Sequence, residues 1–124
     1  MGINGNAWFQ IGTTDRAGSE RFYADVFGWS FSDDDSTSPD GKPYRMVTTG
    51  AGEPPSGGID GLSDEPGYAV FMLVVPDTTD ALRRVEAAGG KVTVPLQTTP
   101  NGLTWAHVLD PSGNRFGVFT PPAR

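Results

Sequence analysis

Asp77-Thr-Thr-Asp-Ala-Leu-Arg-Arg-Val-Glu-Ala-Ala-Gly-Gly90 reads as a helix from cap to stop. Asp77 supplies the N-cap acceptor, Ala81, Leu82, Val85 and Ala88 recur at helical spacing as one apolar stripe, and the paired glycines end it. The same pattern occurs earlier in the chain. Asp15 to Gly28 also spans thirteen positions, with Phe22, Tyr23, Val26 and Phe27 as its stripe. A strand precedes each helix and three follow, so the order predicted is strand, helix, three strands, twice over. The expected fold is α+β: two βαβββ modules forming a curved mixed sheet around a cavity, with the helices on the outer face. The modules run from about 6 to 61 and about 67 to 121 within a single domain of 1–124.

The strands follow from alternation and turn residues. Ala7–Gly12 places Ala7, Phe9 and Ile11 on one face and Trp8, Gln10 and Gly12 on the other. Trp29–Ser32 is the second strand, followed by a polar turn region from Asp33 to Pro43 and a third strand, Tyr44–Thr48. The Gly/Pro-rich segment from Gly50 to Gly61 is expected to be irregular, with a short strand around Ile59. Tyr68–Val75 is apolar on both faces and reads as a central strand buried on each side. Lys91–Val94, Thr104–Leu109 and Arg115–Phe119 complete the set. Between the last two, Asp110-Pro-Ser-Gly-Asn114 is a tight turn: Pro111 presets φ, and Gly113 and Asn114 tolerate positive φ.

Composition narrows the function. Nine basic against fifteen acidic residues give a net charge of −6, which disfavours nucleic acid and anionic membranes as partners. No apolar run approaches the ~20 residues that span a bilayer, and Met-Gly-Ile-Asn-Gly-Asn at the N-terminus lacks the basic and apolar regions of a signal peptide. The absence of cysteine excludes thiol chemistry and fits a reducing cytoplasm. Seven arginines against two lysines, with much Gly, Ala and Pro, are consistent with a GC-rich bacterial gene. Asp33-Asp34-Asp35 lacks the alternate carboxylate spacing of a calcium loop and is expected to be a solvated loop. Gly50-Ala-Gly52-Glu-Pro-Pro55 lacks the third glycine and following helix of a dinucleotide fingerprint. No nucleophile-elbow pattern supports a Ser-His-Asp triad.

The repeated order, together with Asp15…Phe22-Tyr23…Phe27-Gly28-Trp29 and Asp110-Pro111-Ser-Gly113-Asn114, resembles the vicinal oxygen chelate superfamily. That group includes glyoxalase I, bleomycin-resistance proteins, fosfomycin-resistance enzymes and extradiol dioxygenases. The resemblance covers nearly the whole chain. It implies a homodimer, with the pocket formed within one chain or across the dimer. It also implies that enzymes of the group bind a divalent metal through side chains on the inner strands. Those positions fall here on Trp8, Val70 and Gly117, none of which can hold a metal, and the last strand of the first module offers Asp60 alone. No metal or other cofactor is therefore expected.

The inner face is expected to carry an apolar, aromatic-lined site of Trp8, Gln10, Val70, Met72, Trp105, His107, Arg115, Gly117 and Phe119, with Val74, Tyr44 and Met46 nearby. Gln10 could be a metal ligand, a hydrogen-bonding group for a substrate, or a polar residue satisfied by neighbouring strands. His107, the only histidine, is either a packed or rim histidine or a pocket acid, base or donor. Gln10 and His107 are the catalytic candidates. The aromatics themselves either bind a ligand or simply fill the sheet. The reading that results is a small-molecule-binding protein similar to the bleomycin-resistance branch, taking an apolar or aromatic metabolite or antibiotic. The alternatives are a metal-independent isomerase, cyclase or lyase using His107 or Gln10, and a metal-dependent lyase or dioxygenase of the same superfamily.

Overall fold

Both helix starts form where a carboxylate can cap them. In the computed structural model, which describes residues 3–123 and so leaves Met1, Gly2 and Arg124 outside the description, Asp15 accepts from the Gly18 amide at 3.0 Å. Asp77 accepts from the Asp80 amide at 3.3 Å. These open α1 (Arg16–Phe27) and α2 (Thr78–Ala87). Gly28, with φ of 75°, closes the first, and Gly89, with φ of 96°, follows the second. Both take the left-handed conformation that only glycine adopts at little cost.

The strands are β1 (Asn6–Thr13), β2 (Ser30–Thr37), β3 (Pro43–Thr48), β4 (Gly57–Gly61), β5 (Tyr68–Val74), β6 (Lys91–Thr98), β7 (Thr104–Leu109) and β8 (Arg115–Thr120). Among the described residues the order is βαβββ twice, an α+β fold with eight strands and two helices. Contacts divide the chain into two compact units: Trp8–Ala69, and the part from Val70 onward together with the segment up to Ala7. In the first the strands lie in the order β2-β3-β4-β1, with β1 and β4 parallel. In the second the order is β5-β8-β7-β6, with β5 and β8 parallel. The first and last strands of each module thus pair directly, and the remaining pairs are antiparallel.

In the Trp8–Ala69 unit the apolar side of the sheet faces α1. Val47 and Ile59 are fully buried there, and Phe9 meets Trp29, whose ring stacks on Tyr23 at 4.5 Å. The expected apolar stripe of α1 is not its buried face. Phe22, Val26 and Phe27 are each more than half exposed. Ion pairs hold the helix instead: Arg16 makes a bidentate contact with Asp40 at 2.9 and 3.0 Å and donates to the Pro43 carbonyl, and Glu20 meets Arg45 at 3.0 Å. The rings of Tyr23 and Trp29 fill the space beneath, so the helix presents Phe22 and Phe27 outward.

The second unit has its core at Val75, Ala106 and Val118, covered by Leu73, Ala81, Leu82 and Phe116. The α2 stripe is only half-buried, and Ala88 is exposed. Strand β5 is likewise not buried on both sides: Val70, Met72 and Val74 are, whereas Phe71 on the other face is 47% exposed and stacks on Phe116.

Three local expectations change. Asp33–Asp35 belongs to β2 rather than to a loop, because Arg45 on the paired strand neutralises Asp33 at 2.7 Å. Strand β6 does not stop at Val94 but continues through Pro95 to Thr98, while the short strand expected around Ile59 is present as β4. In the turn after Leu109, Asp110 accepts from the Ser112 and Asn114 amides at 2.9 Å each, and of the two candidates only Gly113 takes positive φ. Among the described residues no helix is long and apolar enough to cross a membrane.

Because each cap satisfies otherwise orphaned amides, Asp15→Ala and Asp77→Ala are each expected to cost about 1 kcal/mol. The denaturant midpoints of the two variants check this.

Candidate ligand-binding site

Each unit places its candidate residues on the face opposite its helix. In the first unit, parallel pairing of β1 with β4 sets Gln10 beside Gly58 and Gly12 beside Asp60. Those two glycines carry the geometry. A Cβ at Gly58 would overlap the Tyr44 ring and hydroxyl, and one at Gly12 would overlap the Tyr68 ring. The missing side chains let both tyrosines lie flat across the strands and meet on Gln10.

A directional chain of hydrogen bonds results. The Trp8 indole N–H donates to the Tyr44 hydroxyl at 3.0 Å, Tyr44 donates to Gln10 Oε1 at 3.0 Å, Gln10 Nε2 donates to the Tyr68 hydroxyl at 2.8 Å, and Tyr68 donates to Asp60 Oδ2 at 3.4 Å. The Gln10 amide is 8% exposed and bonded on both sides by neighbouring residues. A buried amide without partners would cost several kcal/mol, so this arrangement is what permits a glutamine here. Burial pushes the Tyr44 hydroxyl well above the ordinary phenol range, opposed by its bond from Trp8. Burial also raises the Asp60 carboxyl, opposed by the hydroxyls of Ser38 and Tyr68. The Tyr44 phenol is therefore neutral at physiological pH and acts as a hydrogen-bonding group.

In the second unit the register aligns Met72, Gly117 and His107 across β5, β8 and β7, and the next row aligns Val74, Phe119 and Trp105. Val70 shares the buried face of β5. The space that a side chain at Gly117 would need is filled by the Met72 thioether. Trp105 and Phe119 are half-buried, and the Trp105 and His107 ring centres lie 5.3 Å apart. Arg115 turns back on the same face, its Nη2 lying 2.7 Å from His107 Nδ1. Guanidinium can only donate, so Nδ1 is the acceptor and the ring hydrogen sits on Nε2. Burial, with the Arg115 charge adding to it, pushes the imidazole down to about 4. His107 is thus a neutral, packed histidine with its basic nitrogen already engaged. A cleft of about 410 Å³ lies on the opposite face of this unit, between α2 and Leu73, Val75, Phe116 and Val118.

Sequence reasoning joined Trp8 and Gln10 and named Tyr44, but it missed Tyr68 and Asp60 as members of the same cluster. The available signal was Gly12, on a strand otherwise built of larger residues, together with the glycine-rich β4 that holds Gly58.

A model of the Glyoxalase/Bleomycin resistance protein/Dioxygenase superfamily matches residues 6–118, and the chain belongs to that family. It is 34% identical over 126 residues to the anthracycline biosynthesis protein DauV of a Streptomyces species, covering 91% of this chain and 46% of DauV. The chain spans less than half the length of the curated relatives it matches. Among solved structures, the Mn(II)-bound glyoxalase from Novosphingobium aromaticivorans is 25% identical with a TM-score of 0.58, covering 95% of this chain and 39% of that one. Methylmalonyl-CoA epimerase from Streptomyces coelicolor, at 13% identity and a TM-score of 0.65, covers 98% of this chain and all of that one, and shares the fold.

The donor chemistry does not fit a resident divalent metal. Trp8, Val70 and Gly117 offer no ligating atom, and a catalytic site needs about three. Among the described residues no three His, Cys, Asp or Glu side chains come together.

The depressed His107 value predicts a pH effect on stability. The unfolded imidazole takes its proton near 6.5, whereas the folded one resists protonation until about 4. Stability from this group is complete above the higher value and falls as pH drops between the two, by roughly 3 kcal/mol. That part of the slope should disappear in His107→Gln, as measured by denaturant midpoint against pH.

Proposed function

We propose that the chain binds an apolar or aromatic small molecule against the Trp8–Tyr44–Gln10–Tyr68 cluster and sequesters it, in the manner implied by the bleomycin-resistance branch of the family. The carrying observation is that Gln10, a buried polar side chain on this strand face, is held between two phenols beside an indole. Such a surface offers aromatic faces for stacking and polar atoms in fixed positions, the composition of a ligand site. The name of DauV, which places that protein in the making of fused-ring anthracyclines, favours a flat aromatic ligand. Calorimetric titration with the anthracycline daunorubicin tests the reading. We expect metal-independent binding, unchanged by a chelator, that weakens about tenfold in Trp8→Ala, consistent with the loss of one aromatic contact. Stabilisation by divalent metal alone would overturn it.

The same cluster would serve a metal-independent isomerase, cyclase or lyase, and the biosynthetic name of DauV favours that second reading. Gln10 is then the better candidate, since the basic nitrogen of His107 is already engaged by Arg115. Turnover of a daunorubicin-like ligand that vanishes in Gln10→Ala would establish it.

The protein is further proposed to be a cytoplasmic homodimer. The exposed Phe22, Val26 and Phe27 on α1 support self-association, because contiguous apolar surface of this kind commonly marks an interface. Light scattering after size exclusion should show a dimer that dissociates in Phe22→Asp; a monomeric native protein would sink this proposal.

A further inference from the structure

Helix α2 covers the sheet of its unit unevenly. It packs mainly on β6, β7 and β8, so Leu73 of β5 and the adjoining Val75 lie at its margin. There α2 and its C-cap present Ala81 and Ala88, both small, and a cleft of about 410 Å³ remains between them, Leu73, Val75 and Phe116. That volume falls in the range of small-molecule sites. Phe116 stacks on Phe71 with ring centres 5.4 Å apart and planes 10° from parallel, which holds an aromatic wall in place. The lining residues belong to one compact unit.

Charged groups stand at one side of this apolar cleft: Asp77, Asp80 and Arg84. The two carboxylates are already engaged. Asp77 caps the helix through the Asp80 amide, and Asp80 holds Arg83 at 2.6 Å. Arg84 differs from them. Its side chain is 81% exposed, and its Nη1 stays 3.9 Å from Asp80, too long for a hydrogen bond. A guanidinium placed in this way can turn to a closer anion and donate two parallel hydrogen bonds to it.

We propose that this cleft is a binding site for aromatic anions, carboxylates or sulfonates, with the rings seated against Leu73, Val75 and Phe116 and the anionic group on Arg84. The cleft shares no residue with the Trp8–Tyr44–Gln10–Tyr68 cluster, and its ligand class is independent of the function proposed for that cluster.

The test titrates the protein with two fluorescent probes of similar shape, the anion 8-anilinonaphthalene-1-sulfonate and its neutral counterpart N-phenyl-1-naphthylamine. Native protein should bind one sulfonate per chain. Arg84→Gln should lower affinity for the sulfonate about fivefold, the effect of one exposed ion pair, and leave the neutral probe unchanged. Position 88 lies one helical turn further along the same wall. Ala88→Lys should therefore tighten sulfonate binding and Ala88→Glu should loosen it. Both positions are exposed, so these variants keep the fold. Failure of the native protein to bind either probe overturns the site. Sulfonate affinity that is unchanged across the three variants, or that changes in step with the neutral probe, overturns the role of Arg84 and with it the anion class. Sulfonate binding that disappears in Trp8→Ala or in Phe22→Asp places the dye on the aromatic cluster or on α1, and overturns the proposal as well.

Discussion

A primary amide buried in a sheet must have partners for its oxygen and its nitrogen, and Gln10 imposes that requirement on the Trp8–Ala69 unit. Two phenols meet it. For them to reach the amide, the strands beside it must give up side chains, and Gly12 and Gly58 do so. Parallel pairing of β1 with β4 puts those glycines where the rings need them, while Trp8 and Asp60 fix the direction of the donors at either end. A Cβ at either glycine would displace a tyrosine and leave the amide half-satisfied, which in a low-dielectric interior is worse than an apolar replacement.

The other unit resolves a similar difficulty differently. Among its buried polar groups is an imidazole, 1% exposed, and here the partner is a cation. Arg115 can only donate, so it fixes the tautomer of His107 and adds to the burial that keeps the ring neutral. Beside it Met72 occupies the volume left by Gly117, a place where a flexible thioether packs without strain. The two faces consequently differ in chemistry. One carries phenols in a hydrogen-bonded chain; the other carries a neutral histidine among Met72 and Trp105, with its basic nitrogen occupied.

The helices also differ in how they attach. Leu82 and Ala81 seat α2 on an apolar core. Ion pairs from Arg16 and Glu20 tie down α1, with aromatic stacking at Trp29, and this leaves apolar rings facing solvent. Partly buried, bidentate arginine contacts hold geometry well, but they do not remove carbon surface from water as packing does. That difference is why the first helix leaves Phe22 and Phe27 exposed.

Element order, helix caps and stops, and the separation of Trp8, Gln10 and Gly12 from Phe9 and Ile11 were legible from residue types alone, because caps, glycine conformations and strand alternation act over a few residues. The sequence thereby determined the family fold, and it placed Gln10 and His107 on the faces opposite the helices. Which side of α1 is buried was not legible: Phe22 and Val26 form the apolar stripe, yet partners for Arg16 and Glu20 lie far along the chain at Asp40 and Arg45, and only folding shows that these outcompete it. Nor could spacing reveal that Gln10 meets Tyr68, fifty-eight positions away, or that Asp60 ends the chain rather than standing alone. Those contacts depend on strand register and on the volume left by two glycines, quantities that exist only once the sheet has formed.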